Sequence, residues 1–598
     1  MSNFGEDLPF LARNKTYRRG WKDLSEAPPV DVLPCSNDEY FPPPPTREQI
    51  GIMQLQSREI ERYRRKFNMS RRAFVRTAAA TAIGFWAIDA VRKGEYGNYG
   101  WAQNTTTDAC DLEWDGKKGM ERLTNLPGEF IFDVQSHHVD AEGQWRVTNP
   151  GFHAVFAALW PQSSWATGEP GGLREDGSIR GGGEGGEADP IQNLSRFHYL
   201  KELYLDSATT ATVLSIVPTS PDTDNPLPLA EGYKTARMVN DLSKARRCVL
   251  HAFVMPNRGG SGTTNTGSSI PQKPLFLDEE MDLMMQRAEQ YGDLLRGWKT
   301  YCAWGDVPNA SGWTFDTDIG MRFLEQVLAV SKKFPQIPPV VATHKGFPLP
   351  AFDQRAATPR DIGPAARAYP GVRFLVYHSG YDTGDRQEAY RGDDAARSDT
   401  HTVDGFIKSL RENKWDASRF VKKGKKFGNV PNVYAELGSV WRGVMNDPDQ
   451  AAHLLGKLIN HVGPKRIVWG TDSLWYGSPQ PEIVALRRFE FTEKGKELYG
   501  LPYGLNGDVE DPRRKAPRPS RTIRNAILGY NAARAYSFDP VQIKNEIACD
   551  EVQRLKEEGY LRGGGTERES APLASHVAPG ARTKEQVIKN VYEGEWSP

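Results

Sequence analysis

Three histidines and one aspartate stand at places where they could bind a metal ion or carry protons. His137, His344, His378 and Asp472 each come at or just after the end of a short run of β-forming residues. Imidazole and carboxylate groups are common ligands of divalent metals, and histidine also moves protons near neutral pH. The sequence therefore predicts one site built from these four side chains, if the runs are strands whose ends meet.

The elements that position these residues are alternating strand-like and helical stretches. From Gly128 onward, apolar runs rich in Val, Ile, Leu and Phe alternate with amphipathic segments, which is typical of βα units around a parallel sheet. Eight such units predict an α/β fold, a closed (β/α)8 TIM barrel over residues 126–540, with all strand C-termini at one mouth. The predicted strands are Phe130–Gln135, Ala211–Val217, Cys248–Met255, Gly297–Cys302, Val340–His344, Arg373–His378, Val433–Leu437 and Arg466–Gly470.

The composition is compatible with one large barrel core. The chain has 598 residues, a formal net charge of zero and 38% hydrophobic residues. Balanced charge gives no reason to expect nucleic acid as a partner, so a small-molecule substrate is the expected ligand. Five scattered cysteines without a CxxC pair argue against a disulfide framework and a structural zinc cluster. Long segments at 140–193, 257–274, 382–429 and 473–520 are expected to lie over the mouth.

Residues 70–75 resemble a twin-arginine export signal. Ser70-Arg71-Arg72-Ala73-Phe74-Val75 precedes the apolar stretch Thr77–Val91, which is too short for a spanning helix, and cleavage is predicted after Ala102. The segment predicts export to the periplasm by the twin-arginine machinery, and an ordinary surface helix in a cytoplasmic protein is the alternative. The expected division is a partly helical or disordered leader at 1–68, a signal segment at 69–102, a linker at 103–125, the barrel at 126–540, and a C-terminal helix and tail at 541–598.

The order of the strand-end motifs resembles that of the amidohydrolase superfamily, in particular its amidohydrolase-2 branch. That branch includes aminocarboxymuconate semialdehyde decarboxylase and related hydrolases and decarboxylases. The resemblance implies one divalent metal ion, zinc or manganese, held by His137, His344 and Asp472, with His378 and Asp472 as catalytic residues. In the family the first strand ends in a His-x-His pair, whereas this chain has Gln135-Ser136-His137. Gln135 is therefore expected to be a weak fourth ligand.

Three further residues are candidates for contact with the substrate. Lys299 lies on the fourth predicted strand, where a cation could bind a substrate carboxylate, and a structural ion pair is the alternative. Tyr381 and Trp475 come just past strand ends and could form an aromatic wall, with core packing as the alternative.

The predicted activity is hydrolysis of a small cyclic or aromatic carboxylate, ester or amide by metal-activated water. Three alternatives stay open: a non-oxidative decarboxylase of the same fold, a metal-free lactonase or hydratase that uses the same histidines and aspartate, and a non-catalytic exported barrel protein. Base rates favour a homodimer.

Overall fold

The computed structural model describes residues 30–33, 45–69, 71–75, 78–99, 128–149, 191, 194–217, 224–258, 276–304, 312–347, 353–413, 432–548 and 550–556. Within these ranges the chain forms an N-terminal helical arm, a barrel and a short C-terminal group of helices. The linker predicted at 103–125 and the predicted cleavage position after Ala102 lie outside the described residues.

Eight parallel strands form the barrel, and their order in the sheet is their order in the chain. The sheet closes because the first strand also pairs with the chain at the end of the eighth. Val134 N donates to Trp469 O at 3.0 Å, and Asp472 N donates to Gln135 O at 2.8 Å. The barrel strands are Phe132–Ser136, Ala211–Ser215, Cys248–Phe253, Leu295–Thr300, Val340–His344, Arg373–Tyr377, Val433–Glu436 and Ile467–Val468.

Helices surround these strands. Several begin at side-chain caps, such as Asp447, whose carboxylate accepts from Gln450 N at 3.3 Å at the start of Pro448–His461. The helices are Trp145–Thr148, Arg196–Leu200, Leu229–Ser243, Leu277–Tyr291, Asp318–Lys333, Ile362–Ala368, Val403–Glu412, Val440–Val444, Pro448–His461, Gln480–Arg488, Glu493–Tyr499, Ile523–Asn525, Asn531–Tyr536, Pro540–Glu546 and Glu551–Leu555.

Two apolar clusters hold the barrel together. Alternate strand residues, among them Phe132, Val213, Val340 and Leu375, form an inner cluster that the helix Asn531–Tyr536 also joins. The other strand face packs against the surrounding helices in a larger cluster. Strands buried on both faces explain why the sequence shows continuous apolar runs rather than alternation.

The predicted (β/α)8 barrel is confirmed, and its strands begin within a few residues of the predicted positions. The eighth strand is shorter than predicted, because after Trp469 the chain turns toward the first strand and Thr471 N bonds to Asp133 Oδ1 at 3.2 Å. The predicted long loop 473–520 instead contains two helices, and the hairpin strands Gly507–Asp508 and Asp511–Lys515.

The N-terminal arm comprises the described residues from 30 to 99. It contains the helices Arg47–Lys66, Arg71–Val75 and Ala78–Arg92, and its strand Gly97–Asn98 pairs antiparallel with Glu490–Phe491 beside the barrel. The apolar stretch of the predicted export signal is therefore helical from Ala78 onward, where it is described, and export stays a prediction. Among the described helices, none combines the length and apolar character that crossing a bilayer requires.

Candidate active site at the barrel mouth

The four residues singled out in the sequence meet at the C-terminal mouth of the barrel, where Gln135 links them. Asp472 Oδ1 accepts from Gln135 Nε2 at 2.9 Å and lies 3.2 Å from His137 Nε2. Gln135 Nε2 lies 3.4 Å from His378 Nε2, which lies 3.2 Å from His344 Nδ1. These five side chains form one connected polar chain, and all are buried. Their catalytic and ligand roles stay predictions.

The backbone at the mouth adopts conformations that side chains seldom take. His378 has φ 62°, Ser379 φ 51°, Ser439 φ 55° and Asp472 φ 59°. Left-handed backbone at a non-glycine residue costs on the order of 1–3 kcal/mol and persists only where surrounding contacts enforce it. Four such residues at the ends of three neighbouring strands indicate that the fold holds these side chains in place against local preference.

Hydrogen-bond partners determine how many protons the two paired histidines hold. His378 Nδ1 faces the Gly438 carbonyl at 2.7 Å, and His344 Nε2 faces the Gly346 carbonyl at 3.1 Å, so both nitrogens must carry protons. The remaining nitrogen of each ring faces that of the other, and this contact needs one proton more. Three N–H groups, one more than two neutral imidazoles carry, would satisfy all of these contacts.

Asp472 is surrounded by donors. Besides Gln135 and His137, Ser439 Oγ donates to its Oδ2 at 2.6 Å. Both ring nitrogens of His137 face acceptors, since Nδ1 lies 2.7 Å from the Ser215 carbonyl.

Neighbouring carboxyl groups are held toward their neutral forms. Burial raises the pKa of Asp133 to about 8 and that of Glu436 to about 7. Glu436 Oε2 accepts the backbone N–H of His378 at 2.9 Å, so Glu436 fixes the backbone at the strained residue. Asp472 therefore lies beside two carboxyl groups whose negative charge burial disfavours.

Gly470 is needed because Glu436 lies against it. A Cβ at Gly470 would overlap Glu436 Oε1. Gly470→Ala is expected to lower the free energy of unfolding by about 1–3 kcal/mol, the usual cost of overpacking a buried site, as measured by urea denaturation. The control is Gly384→Ala, at an exposed glycine with nothing within 4 Å of the added carbon. Equal stability of the two variants would contradict the prediction.

Glu482, on the helix after the eighth strand, is expected to make stability depend on pH. Burial raises its pKa to about 8, above its ordinary value of 4.5. The folded state then binds more protons than the unfolded state between these values, so the free energy of unfolding falls as pH rises from about 4.5 to 8. Glu482→Gln should flatten that fall, measured by chemical denaturation at intervals from pH 5 to 9. Glu493→Gln, at a side chain that is 90% exposed, should leave the wild-type slope unchanged.

The three predicted substrate contacts lie in different surroundings. The Trp475 ring stacks on His137 with 5.4 Å between ring centroids. Tyr381 is buried, and its ring packs against Phe347 at 5.4 Å. The Lys299 ammonium lies 3.9 Å from the centre of the Tyr377 ring inside the barrel. Their roles toward a substrate stay predictions.

Ser439 was not identified from the sequence. It links Asp472 to Tyr476, whose hydroxyl lies 2.7 Å from Ser439 Oγ. Its position three residues after the seventh strand is the one signal that the sequence offers, and a serine there is too common to indicate a role.

The residues as placed do not form the metal site that the resemblance implies. Among the described residues, no group of three His, Cys, Asp or Glu side chains is arranged to hold a metal ion. Gln135 turns Nε2, which cannot ligate, toward Asp472, while its Oε1 has no hydrogen-bond partner within the described part of the chain. Rotating the amide would turn its oxygen toward the Asp472 carboxylate, an arrangement of two acceptors that a cation between them would satisfy.

Part of this region matches the model of a known family. Residues 423–538 match the model of the Amidohydro_2 family, described as amidohydrolase. The match covers less than half of the chain but includes Glu436, Ser439 and Asp472, and it confirms for this stretch the resemblance seen at the strand ends. A search among curated proteins found no significant match.

Several solved structures superpose on the barrel. A 2,6-dihydroxybenzoate decarboxylase from Rhizobium is 11% identical, with 68% of this chain and 99% of that chain covered and a TM-score of 0.33. A dihydroxybenzoic acid decarboxylase from Polaromonas, with bound manganese and 2-nitroresorcinol, is 13% identical, covering 62% and 97%, with a TM-score of 0.31. A 5-carboxyvanillate decarboxylase from Novosphingobium aromaticivorans, complexed with manganese and 4-hydroxy-3-methoxy-5-nitrobenzoic acid, is 11% identical, covering 70% and 99%, with a TM-score of 0.32.

With TM-scores below 0.5, these superpositions carry no argument about the chemistry of this chain. The family match and the connected polar chain at the barrel mouth point to an enzyme of the hydrolase or lyase kind. In the matched region the chain is similar to the amidohydrolases of the Amidohydro_2 family.

Proposed function

We propose that the protein is a hydrolase that acts on a small cyclic or aromatic ester or lactone by general acid–base catalysis. The observation that carries this proposal is the connected chain of His137, Asp472, Gln135, His378 and His344 at the mouth of the barrel. In this mechanism Asp472 acts as an ionised carboxylate on one side of Gln135, and the His378–His344 pair on the other side holds an extra proton. A base and an acid held apart by one amide suit a reaction that needs both.

In the proposed reaction Asp472 takes a proton from water as the water oxygen attacks the ester carbonyl carbon. A protonated Asp472 needs fewer donors, so the N–H groups of His137 and Gln135 become available to the oxyanion that develops. The carbon–oxygen bond to the leaving group then breaks, and that oxygen receives the proton held between His378 and His344. Exchange with solvent removes the proton from Asp472 and returns one to the histidine pair.

A second candidate is non-oxidative decarboxylation of an aromatic carboxylate, and the charge on the histidine pair favours it. In that reaction the bond between the ring carbon and the carboxylate carbon breaks and carbon dioxide leaves. The electron pair left on the ring carbon then takes the proton shared by His378 and His344. Hydrolysis consumes water and releases an acid, whereas decarboxylation releases carbon dioxide, so product analysis separates the two.

The test is a substrate screen joined to metal analysis. Protein purified without chelators is assayed against lactones, aryl esters and aromatic carboxylates, and its metal content is measured on the same sample. We expect ester or lactone hydrolysis by protein without a stoichiometric metal, unchanged by chelator treatment. Activity that is lost on chelation and restored by zinc or manganese would overturn the metal-free mechanism.

Gln135→His supplies the matched variant. An imidazole at this position restores a ligand that the wild-type amide lacks, so the variant should retain more divalent metal than the wild type after the same purification. It should also lose hydrolysis, because it removes the amide that joins Asp472 to His378. A variant with the activity and the metal content of the wild type would show that Gln135 neither limits metal binding nor joins Asp472 to His378 in catalysis.

A further inference from the structure

The N-terminal arm is anchored to the barrel by partly buried polar contacts. Arg92 Nη1 lies 2.5 Å from Asp447 Oδ2, where Arg92 is partly buried and Asp447 is buried. The backbone N–H groups of Tyr96 and Gly97 both donate to Asp449 Oδ1, at 2.5 and 3.2 Å. Asp447 and Asp449 lie at the start of the helix Pro448–His461, so the arm fixes that helix at its N-terminal end.

Apolar packing joins the arm to the same core as the barrel. Val30, Ile52, Phe85 and Ile88 are completely buried and belong to the large apolar cluster outside the strands. Phe85 packs on Tyr99, and Tyr99 packs on Phe489 of the barrel, with ring centroids 4.9 and 6.3 Å apart. The apolar stretch from Thr77 to Val91, interpreted from the sequence as an export signal, thus contributes to the protein interior wherever it is described.

The arm also contacts the chain at the C-terminal end of the short helix Val440–Val444. The Tyr99 hydroxyl donates to the carbonyl of Met445, immediately after this helix. Ser439, immediately before it, is the residue that holds Asp472. This five-residue helix therefore has the arm at its C-terminal end and the candidate base at its N-terminal end.

A second path runs through Arg442 on the same helix. Burial raises the pKa of Asp31 on the arm, and the positive charge of Arg442 counters part of that rise. The Arg442 guanidinium lies 5.2 Å from the centre of the Tyr476 ring. Since the Tyr476 hydroxyl bonds to Ser439, Arg442 is connected through Tyr476 and Ser439 to the Asp472 carboxylate.

We propose that the arm is a permanent part of the folded protein and a positioning element for Asp472, and that residues 30–99 are retained rather than removed with a signal peptide. The positioning role rests on the proposed function, in which Asp472 is the base. Retention does not depend on it, because the contacts that anchor the arm are present whatever reaction the barrel performs.

The first experiment determines the N-terminus of the mature protein. Full-length protein is expressed in a host with a twin-arginine pathway, recovered from each compartment, and its intact mass is measured. We expect every folded form to contain residues 30–99. A mature chain that begins at Gln103 and keeps the melting temperature of the full chain would overturn the proposal.

The second experiment tests positioning without a substrate. Arg92→Met should raise amide hydrogen exchange at least about tenfold in residues 438–446 and 472–477. The reason is that the arm no longer holds Asp447, which comes shortly after the helix Val440–Val444. Arg92→Lys should restore part of the protection. Arg58→Met is the matched control, because Arg58 lies on the same arm and its side chain is 72% exposed. Faster exchange confined to the arm would overturn the positioning role. Both experiments remain valid if the substrate screen finds no activity, because neither uses a substrate.

Discussion

Asp472→Asn is expected to lower kcat by about 10²- to 10⁴-fold, the range that general acid–base groups contribute. The carboxylate accepts from Gln135, His137 and Ser439, and an asparagine amide can accept only at its oxygen. The variant therefore loses the base and turns an N–H group toward a donor. The measurement is steady-state kinetics on the substrate found in the screen, with a thermal melt to show that the fold survives.

Ser439→Ala is the control for this result. It removes one donor but leaves the Asp472 carboxylate in place, so the loss in kcat should be far smaller than that of Asp472→Asn. A tenfold or larger loss in Asp472→Asn together with a small loss in Ser439→Ala fits a base. If Asp472→Asn keeps wild-type turnover, Asp472 is a structural residue and the proposed mechanism is wrong.

The strands and the convergence of the site residues could be predicted because both follow from short-range pattern. A run such as Val340–His344 is buried on both faces, so its β-formers are continuous and its polar end is visible in the sequence. The barrel topology then places His344 beside His378, although 34 residues separate them. No long-range information is needed beyond the strand count.

The orientation of Gln135 could not be predicted, because it depends on partners that the sequence does not relate to it. The amide turns its N–H toward Asp472, which is 337 residues away. Its oxygen faces Gly438 and Glu436, at a position that a Cβ on Gly438 would fill. Sequence pattern gives a residue type at a strand end, whereas the choice between ligand and donor is made by tertiary contacts.

The role of the apolar stretch in the arm is a similar case. Thr77–Val91 is apolar on most sides, which suits either a transport signal or a helix buried in a protein interior. The two readings differ only in what lies against it, and contacts such as that between Val30 and the backbone of Gly84 are invisible to periodicity. Arg92 and Tyr99, which anchor the segment, carry no pattern that indicates their partners.

Lys345→Met is expected to lower the free energy of unfolding by about 3–5 kcal/mol, the usual cost of breaking a buried ion pair from one side. Lys345 directly follows His344, and its ammonium donates to Asp361 Oδ2 at 3.0 Å and to the Ala356 carbonyl at 2.8 Å. Burial alone would lower the pKa of Lys345, but Asp361, together with Cys302, outweighs it and the pKa is raised, so Lys345 keeps its charge in the folded state.

The double variant Lys345→Met with Asp361→Leu separates two contributions to stability. One is the stabilisation by the ion pair, and the other is the destabilisation by a buried carboxylate that has lost its cation. Removing both charges leaves no carboxylate without its cation, so the double variant should be more stable than Lys345→Met alone in urea denaturation. Asp361 Oδ2 also accepts Phe315 N at 2.9 Å, and this bond is lost with the carboxylate, so recovery should be incomplete. A double variant less stable than the single one would mean that Asp361 stabilises the fold mainly through its bond to Phe315 and that the ion pair beside His344 contributes little.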